Sequence, residues 1–284
     1  PSLPPSAGAD GLRFTLAALS AQGRDVKLSL PRAAGYKAFL NKIWNATRFA
    51  LMRMGSAPIA SVDEVRAHAS LADRWILSRL QRTVQQVSDA VDAYRFDDAA
   101  NVTYQFFWTE LCDVYIESAK LAIEAPSTRA TLVHVLDTSM RLLHPICPFQ
   151  TEEIWQRLPG RTERWPTTKF CATSPWPTVD AKLVDERAER EMAAVLEIVT
   201  SARNLRQESG LQPRSPVVVD VVSDEHLQKS DLELVRHLAA LKEIRAHKRA
   251  GYAPPKVAAV ASNGMIDVVV HLEGLIDVDK EKAR

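Results

Sequence analysis

Cysteine is scarce in this 284-residue sequence, and the three present, Cys112, Cys147 and Cys171, are odd in number and far apart. No C-x-x-C pair occurs, so neither a disulfide framework nor a zinc knuckle is indicated. His144 and Cys147 form one H-x-x-C pair, and two ligands without a second pair make a poor metal site. Long apolar runs are missing as well. Nothing approaches the ~20 residues needed to cross a bilayer, and no signal peptide opens the chain, so a cytoplasmic, reducing setting without membrane contact is expected. Net charge is nearly absent too, with 36 basic against 35 acidic residues, and it says nothing by itself about nucleic acid.

Acidic residues are absent from one stretch, and that local lack is informative. Residues 31–55 hold Arg32, Lys37, Lys42, Arg48 and Arg53 and no Asp or Glu. A neutral protein with one basic stretch suits a local anionic contact better than a general polyanion coat.

What is present is enough apolar residue, 46%, to bury a substantial core, and enough length for two domains. Residues 1–9 carry three prolines and read as a linker, a scar or a trimmed end. A short amphipathic helix in GADGLRFTLAAL and a loop over 20–35 follow, then a strong helix from Tyr36 to Met54. Helical patterns continue over about 71–93, 98–124 and 128–143, with Ser61 and Glu64 at capping-box spacing ahead of the first. Pro145 and Pro148 stop the last of these and start FQTEEIWQRL. This half reads as a helix bundle.

Residues 159–180, crowded with Pro, Trp and Thr, form an aperiodic loop that bounds the bundle and whose Trp165 and Trp176 should pack against one of the two sides. A charged helix over 182–208 ends at Gly210. The period then changes to two. PVVVDVV is a strand, Ser230 and Glu233 should cap a helix to about Leu241, and Asn263-Gly264 joins KVAAVAS and MIDVVVHL as a hairpin. The chain thus reads as mainly α, with a bundle over 31–178 and a small α+β subdomain with an antiparallel sheet over 179–284.

On a helical wheel, residues 36–54 separate into two sides. Tyr36, Phe39, Leu40, Ile43, Ala46, Thr47, Ala50, Leu51 and Met54 share one. Lys37, Asn41, Lys42, Asn45, Arg48, Phe49, Met52 and Arg53 share the other, where every charge is positive. Phe49 is out of place there. A ring among Lys, Asn and Arg has what an unpaired base needs: a face to stack on, groups that bond a base edge, and cations for phosphate. The same face also fits a plainer reading, a solvated surface with Phe49 covered by another helix or anchoring a partner protein.

NKIWNATRF (41–49) resembles the anticodon-domain helix of valyl-tRNA synthetases, a family of class I aminoacyl-tRNA synthetases. The likeness runs along nearly the whole chain, through GADGLRFTLAALSAQGRDVKL (8–28), DRWILSRL (73–80), YRFDDAA (94–100), ELCDVYIESAK (110–120), LLHPICPFQTEEIWQRLP (142–159), ARNLRQESGLQP (202–213) and LEGLIDVDKEKAR (272–284). Isoleucyl and leucyl synthetases share the bundle plan, and Trp-Asn-Ala with the closing GLIDVD favours the valyl family.

The resemblance implies an anticodon-binding helix bundle that grips the anticodon stem-loop of tRNA(Val). Residues 1–30 would then be a linker and the remnant of the segment after the KMSKS loop, and a coiled-coil arm would begin where the sequence stops. Lys42 would bond an anticodon base, Phe49 would stack on one, and Asn45 and Arg48 would support base and phosphate. Arg32, beside Pro31, would stand in for a further basic contact. Asn41, Arg53, Glu110, Leu111, Arg203 and Arg206 are weaker RNA candidates; helix surface and core describe Glu110 and Leu111 equally well. His144, Cys147, Glu152 and Glu153 look catalytic, yet the resemblance makes them a structural helix junction.

The family's HIGH and KMSKS signatures and a Rossmann glycine pattern are all absent. The ATP, magnesium and valine sites are therefore expected in a separate catalytic domain of a full-length ligase, which would be this region's partner. No cofactor, no catalysis and a monomer are expected of the chain itself, as an excised piece or as a paralogue without its enzyme half.

Overall fold

In the computed structural model, residues 8–20, 28, 30–55, 59–224 and 227–275 are described. Residues 1–7 of the expected linker over 1–9, and residues 276–284 of the closing LEGLIDVDKEKAR stretch, lie outside them. Helices α1 (Gly8–Leu19), α2 (Leu30–Met54), the one-turn α3 (Val62–Val65), α4 (Leu71–Asp92) and α5 (Phe96–Gln105) come first. The last continues without a break into a π-helical segment, Phe106–Tyr115, and closes as α6 (Ile116–Ala119). Then follow α7 (Pro126–Leu143), α8 (Pro148–Gln156), the short α9 (Arg161–Arg164) and α10 (Glu186–Glu208). The remainder is β1 (Val218–Ser223), α11 (Lys229–Leu238), β2 (Glu243–His247), β3 (Ala258–Ser262) and β4 (Ile266–His271).

Two compact units result, Pro1–Glu189 and Arg190–Arg284. Composition places the boundary at 178/179, and ion pairs explain why the first unit runs further. Arg74 donates to Asp185 at 2.9 Å, Arg82 lies 3.3 Å from Glu186, Arg79 lies 3.7 Å from Glu189, and the Ser78 hydroxyl donates to Glu189. These contacts tie the start of α10 to α4. The Pro/Trp-rich loop also belongs to the bundle. Trp165 donates its indole N–H to Asp137 at 2.9 Å, and Trp176 donates to Ser88 at 2.9 Å.

Helix ends follow local chemistry, with three departures from expectation. The capping box of Ser61 and Glu64 forms but serves only α3. Helix α4 has its own box, in which Asp73 N–H donates to Ser70 Oγ at 3.1 Å and Ser70 N–H to Asp73 Oδ2 at 3.1 Å. Helix α2 starts at Leu30 rather than Tyr36, because Pro31 in a first turn has the required φ and lacks only an N–H that would be unpaired there. Ser230 does not cap α11; it lies inside the helix, and Gln228 holds the cap position without a side-chain bond.

The bundle core is laid down by Phe39, Ile43, Ile76, Leu80, Phe107, Leu111, Leu132, Leu136 and Trp155, all 2% exposed or less. Asp73 pins it. Buried to 1%, its carboxylate accepts from Tyr115 Oη at 2.7 Å and Thr128 Oγ1 at 3.0 Å, joining α4, the π-helical segment and α7.

In the second unit the sheet order is β2-β1-β4-β3. The β1–β4 and β3–β4 pairs are antiparallel as expected, but β2 runs parallel to β1, so the sheet is mixed. A helix, α11, connects β1 to β2, and a helical crossover returns the chain in the same direction. The hairpin forms at Asn263-Gly264. Asn263 Oδ1 accepts from Met265 N–H at 2.8 Å and Ile266 N–H at 2.7 Å, while Gly264 takes φ +88°.

Candidate nucleic-acid interface

Helix α2 has the two sides that its periodicity implies. Phe39, Leu40, Ile43, Thr47, Ala50 and Met54 are buried, whereas Asn41, Asn45, Arg48, Met52 and Arg53 are exposed. An aromatic cluster fixes its rotation: Phe14 lies 5.1 Å from Phe39 between ring centres, Phe39 4.7 Å from Tyr104, and Tyr104 stacks on Trp108 at 5.7 Å. That packing leaves a groove of about 520 Å³ between α2 and the segment from Cys112 to Lys120. Its size lies in the roughly 300–1,000 Å³ span of ligand clefts. Asn41, Lys42, Asn45 and Phe49 line it from α2; Cys112, Asp113, Ile116, Glu117 and Lys120 line it from across.

Phe49 is half-buried and sits between two cations, with Lys120 Nζ 5.0 Å and the Arg53 guanidinium 5.4 Å from its ring centre. Lys42 is held more firmly than its sequence position suggests. Its ammonium donates to Asp113 Oδ1 at 2.6 Å and to the Trp108 carbonyl at 3.4 Å, and lies 3.7 Å from the Trp108 ring centre. Lys120 donates to both Glu117 oxygens at 2.6 Å. Both lysines lining the groove are therefore matched by carboxylates. Burial pushes the Cys112 thiol up to about 12, with Lys42 pulling the other way, so it is no nucleophile.

Of the other candidates, Arg48, Arg53 and Arg32 are exposed on α2, outside the groove lining. Glu110 faces away from it, taking both bonds of the Arg79 guanidinium at 2.9 Å and holding that group above its ordinary range against the opposing effect of burial. Leu111 is core, 1% exposed. Arg203 and Arg206 belong to the second unit's framework: Arg203 donates to the Leu238 carbonyl at 2.6 Å, and Arg206, 2% exposed, donates to the Ala239 carbonyl at 2.6 Å and the Ala240 carbonyl at 3.3 Å. They satisfy the carbonyls at the end of α11, Arg206 from a buried position and Arg203 from an exposed one.

The His144 region is knit together by hydrogen bonds. His144 Nδ1 is 2.8 Å from Thr151 Oγ1, Cys147 is fully buried, and Glu152 accepts from Cys171 N–H at 3.0 Å. Asp10 of α1 accepts from the Gln150 N–H at 2.7 Å at the start of α8, and Arg13 donates to the carbonyls of Pro145 and Ile146, each at 2.9 Å. Among the described residues no His, Cys, Asp and Glu cluster is arranged to hold a metal, and no helix is long and apolar enough to cross a membrane.

Asp113, Trp108, Glu117 and Lys120 were not among the candidates. Asp113, Glu117 and Lys120 come from the opposite wall, and the contacts of Trp108 and Asp113 with Lys42 depend on the π-helical turn, for which the sequence gives no clear signal.

A helical bundle with an aromatic-and-amide groove and exposed arginines on the same helix has the makings of an RNA-binding module. The family model for the anticodon-binding domain of tRNA ligases matches residues 73–222, and the chain belongs to that family. The curated relatives it matches include valine–tRNA ligases. That of Thermotoga maritima is 40% identical over 98% of this chain and 31% of its own length, and that of Fervidobacterium nodosum is 41% identical over 98% and 31%. The chain thus spans about a third of the length of these curated relatives. Among solved structures, the LeuRS–tRNA–LeuAMS complex of Agrobacterium radiobacter is similar with a TM-score of 0.46 and 16% identity, over 85% of this chain and 28% of that one.

Proposed function

We propose that this chain is the anticodon-recognition portion of a valine–tRNA ligase and that the groove beside α2 receives unpaired bases of the tRNA(Val) anticodon loop. The observation that carries the reading is the convergence of Phe49, Lys42, Asn41 and Asn45 on one open groove, with Arg48, Arg53 and Arg32 exposed on the same helix. Phe49 offers a stacking face, the two amides offer edge donors and acceptors, and the arginines hold phosphate. Ligation of valine to tRNA(Val), with its ATP and magnesium, belongs to the rest of the longer ligase. This portion works in the cytoplasm as a monomer and without a cofactor of its own.

The test is a titration of an anticodon stem-loop at fixed salt. Phe49→Ala and Lys42→Ala should each weaken binding, by about 1–3 kcal/mol for the stacked ring. The remaining affinity should fall steeply with salt, since phosphate contacts supply it. Wild-type affinity in both variants would show that this face is not the reader.

A further inference from the structure

The basic stretch of α2 is not basic inside its groove. A π-helical turn carries about one residue more than an α-turn, with hydrogen bonds running from i to i+5. Trp108 and Asp113 are five apart within the π-helical segment Phe106–Tyr115, and both face one ammonium. Lys42 thereby meets the Trp108 ring at 3.7 Å, the Trp108 carbonyl at 3.4 Å and the Asp113 carboxylate at 2.6 Å. Ammonium has three donors, so this arrangement takes two of them and the charge as well. Lys120 is matched in the same way by Glu117. A phosphate entering the groove meets two carboxylates and two neutralised lysines, whereas an uncharged base meets a ring and amides.

We infer that Asp113 is a specificity-determining gate on Lys42: it holds the ammonium on Trp108 in the free protein, so that only a base able to draw Lys42 away occupies the groove. The inference rests on the reading of this groove as the RNA site. The gate lowers affinity and raises selectivity for bases over phosphate. Asp113 has a half-exposed side chain (52%) and Lys42 a quarter-exposed one (25%), so the pair is of the weak, surface-proximal kind. Releasing it should change affinity by about two- to fivefold.

The experiment is fluorescence-anisotropy titration of the whole chain at one salt concentration near 0.15 M, where charges beyond a Debye length of about 8 Å are screened. Wild type, Asp113→Asn, Lys42→Ala, Phe49→Ala and the Asp113→Asn/Lys42→Ala double variant are compared. Each is measured on an anticodon stem-loop and on the same stem-loop with abasic loop positions. Thermal melts confirm that each is folded; Asp113→Asn is isosteric at an exposed position.

Asp113→Asn should bind the intact stem-loop about two- to fivefold tighter and should narrow the preference for intact over abasic loop. In the Lys42→Ala background its gain should vanish. No gain from Asp113→Asn, or a gain that persists undiminished without Lys42, would overturn the gate, the second result making Asp113 a simple repelling charge. Should Lys42→Ala and Phe49→Ala both bind as wild type, the groove reading itself falls and takes the gate with it, a result distinct from either.

Discussion

Replacement of Asp73 tests the architecture that holds the groove's far wall. Its carboxylate, 1% exposed, accepts three bonds: Ser70 N–H at 3.1 Å, Tyr115 Oη at 2.7 Å and Thr128 Oγ1 at 3.0 Å. Bonds to a charged acceptor contribute about 1.5–3 kcal/mol each, but the losses do not simply add. Tyr115 keeps a fallback acceptor in the Thr128 carbonyl at 3.4 Å, and Ser70 Oγ still caps α4. Removing the carboxylate leaves neutral donors and no unpaired charge, so Asp73→Ala is expected to cost about 2–4 kcal/mol, somewhat more than one unsatisfied buried group. Asp73→Asn retains one carbonyl oxygen and the shape, and should cost about 1–2 kcal/mol. Against a typical total of about 5–15 kcal/mol, the alanine variant would be marginal.

The measurement is urea unfolding followed by tryptophan fluorescence, with linear extrapolation. Tyr115→Phe supplies the second arm of a double-mutant cycle, and the coupling with Asp73→Ala should exceed about 1 kcal/mol. The reasoning fails if Asp73→Ala lies within about 1 kcal/mol of wild type, or if the alanine and asparagine variants are equally unstable.

Two further outcomes follow from buried groups. Burial raises all three thiols, Cys112 and Cys171 to about 12 and Cys147 further, so a thiol reagent at pH 8 should label none in the folded protein and three in urea. Fast stoichiometric labelling of the native chain would contradict this. In the second unit, burial alone would raise the Asp220 carboxyl, but hydrogen bonds from His271 at 2.8 Å and Tyr252 at 2.9 Å, with the nearby imidazoles, bring it below its ordinary range. A carboxyl depressed in the folded state stabilises fully above its unfolded pKa, and that contribution is lost as pH falls through the folded value. Amide protection factors in β1 and β4, taken relative to the intrinsic exchange rate at each pH, should accordingly fall below about pH 4, and Asp220→Asn should flatten that pH dependence while lowering protection at pH 7. An unchanged acid profile in the variant would assign the loss to other groups.

Much of the fold was legible because the relevant signals are local. The α2 faces follow from a 3.6-residue period, and β1, β3 and β4 from β-branched runs punctuated by Asn263-Gly264. Strand β2 was not legible. EIRAH carries two charged residues in five, is mostly exposed at a sheet edge, and so shows neither alternation nor β-branched enrichment. The parallel pairing follows from that strand and was lost with it. Ser230 with Glu233 shows the limit of a motif without context: the spacing is right, but the helix begins at Lys229, two residues before the Asp231 start that a Ser230 cap requires.

The site was half legible, and the illegible half changes its chemistry. A linear charge count over residues 31–55 sees five cations and no anion, because the balancing carboxylate lies 71 residues further on, across a groove that exists only after folding. Even knowing that a helix covers that region would not have sufficed. An α-helical turn places residues three and four apart on one face, and only the π-helical turn sets Trp108 and Asp113, five apart, on the same ammonium. Folding thus converts a uniformly basic helix face into a groove whose lysines are matched by carboxylates, with Arg48 and Arg53 left exposed on the same helix. On the proposed function, such a surface would separate the two parts of a nucleic acid: phosphate would go to the exposed arginines, and the groove would be left to whatever can stack on Phe49 and compete for Lys42.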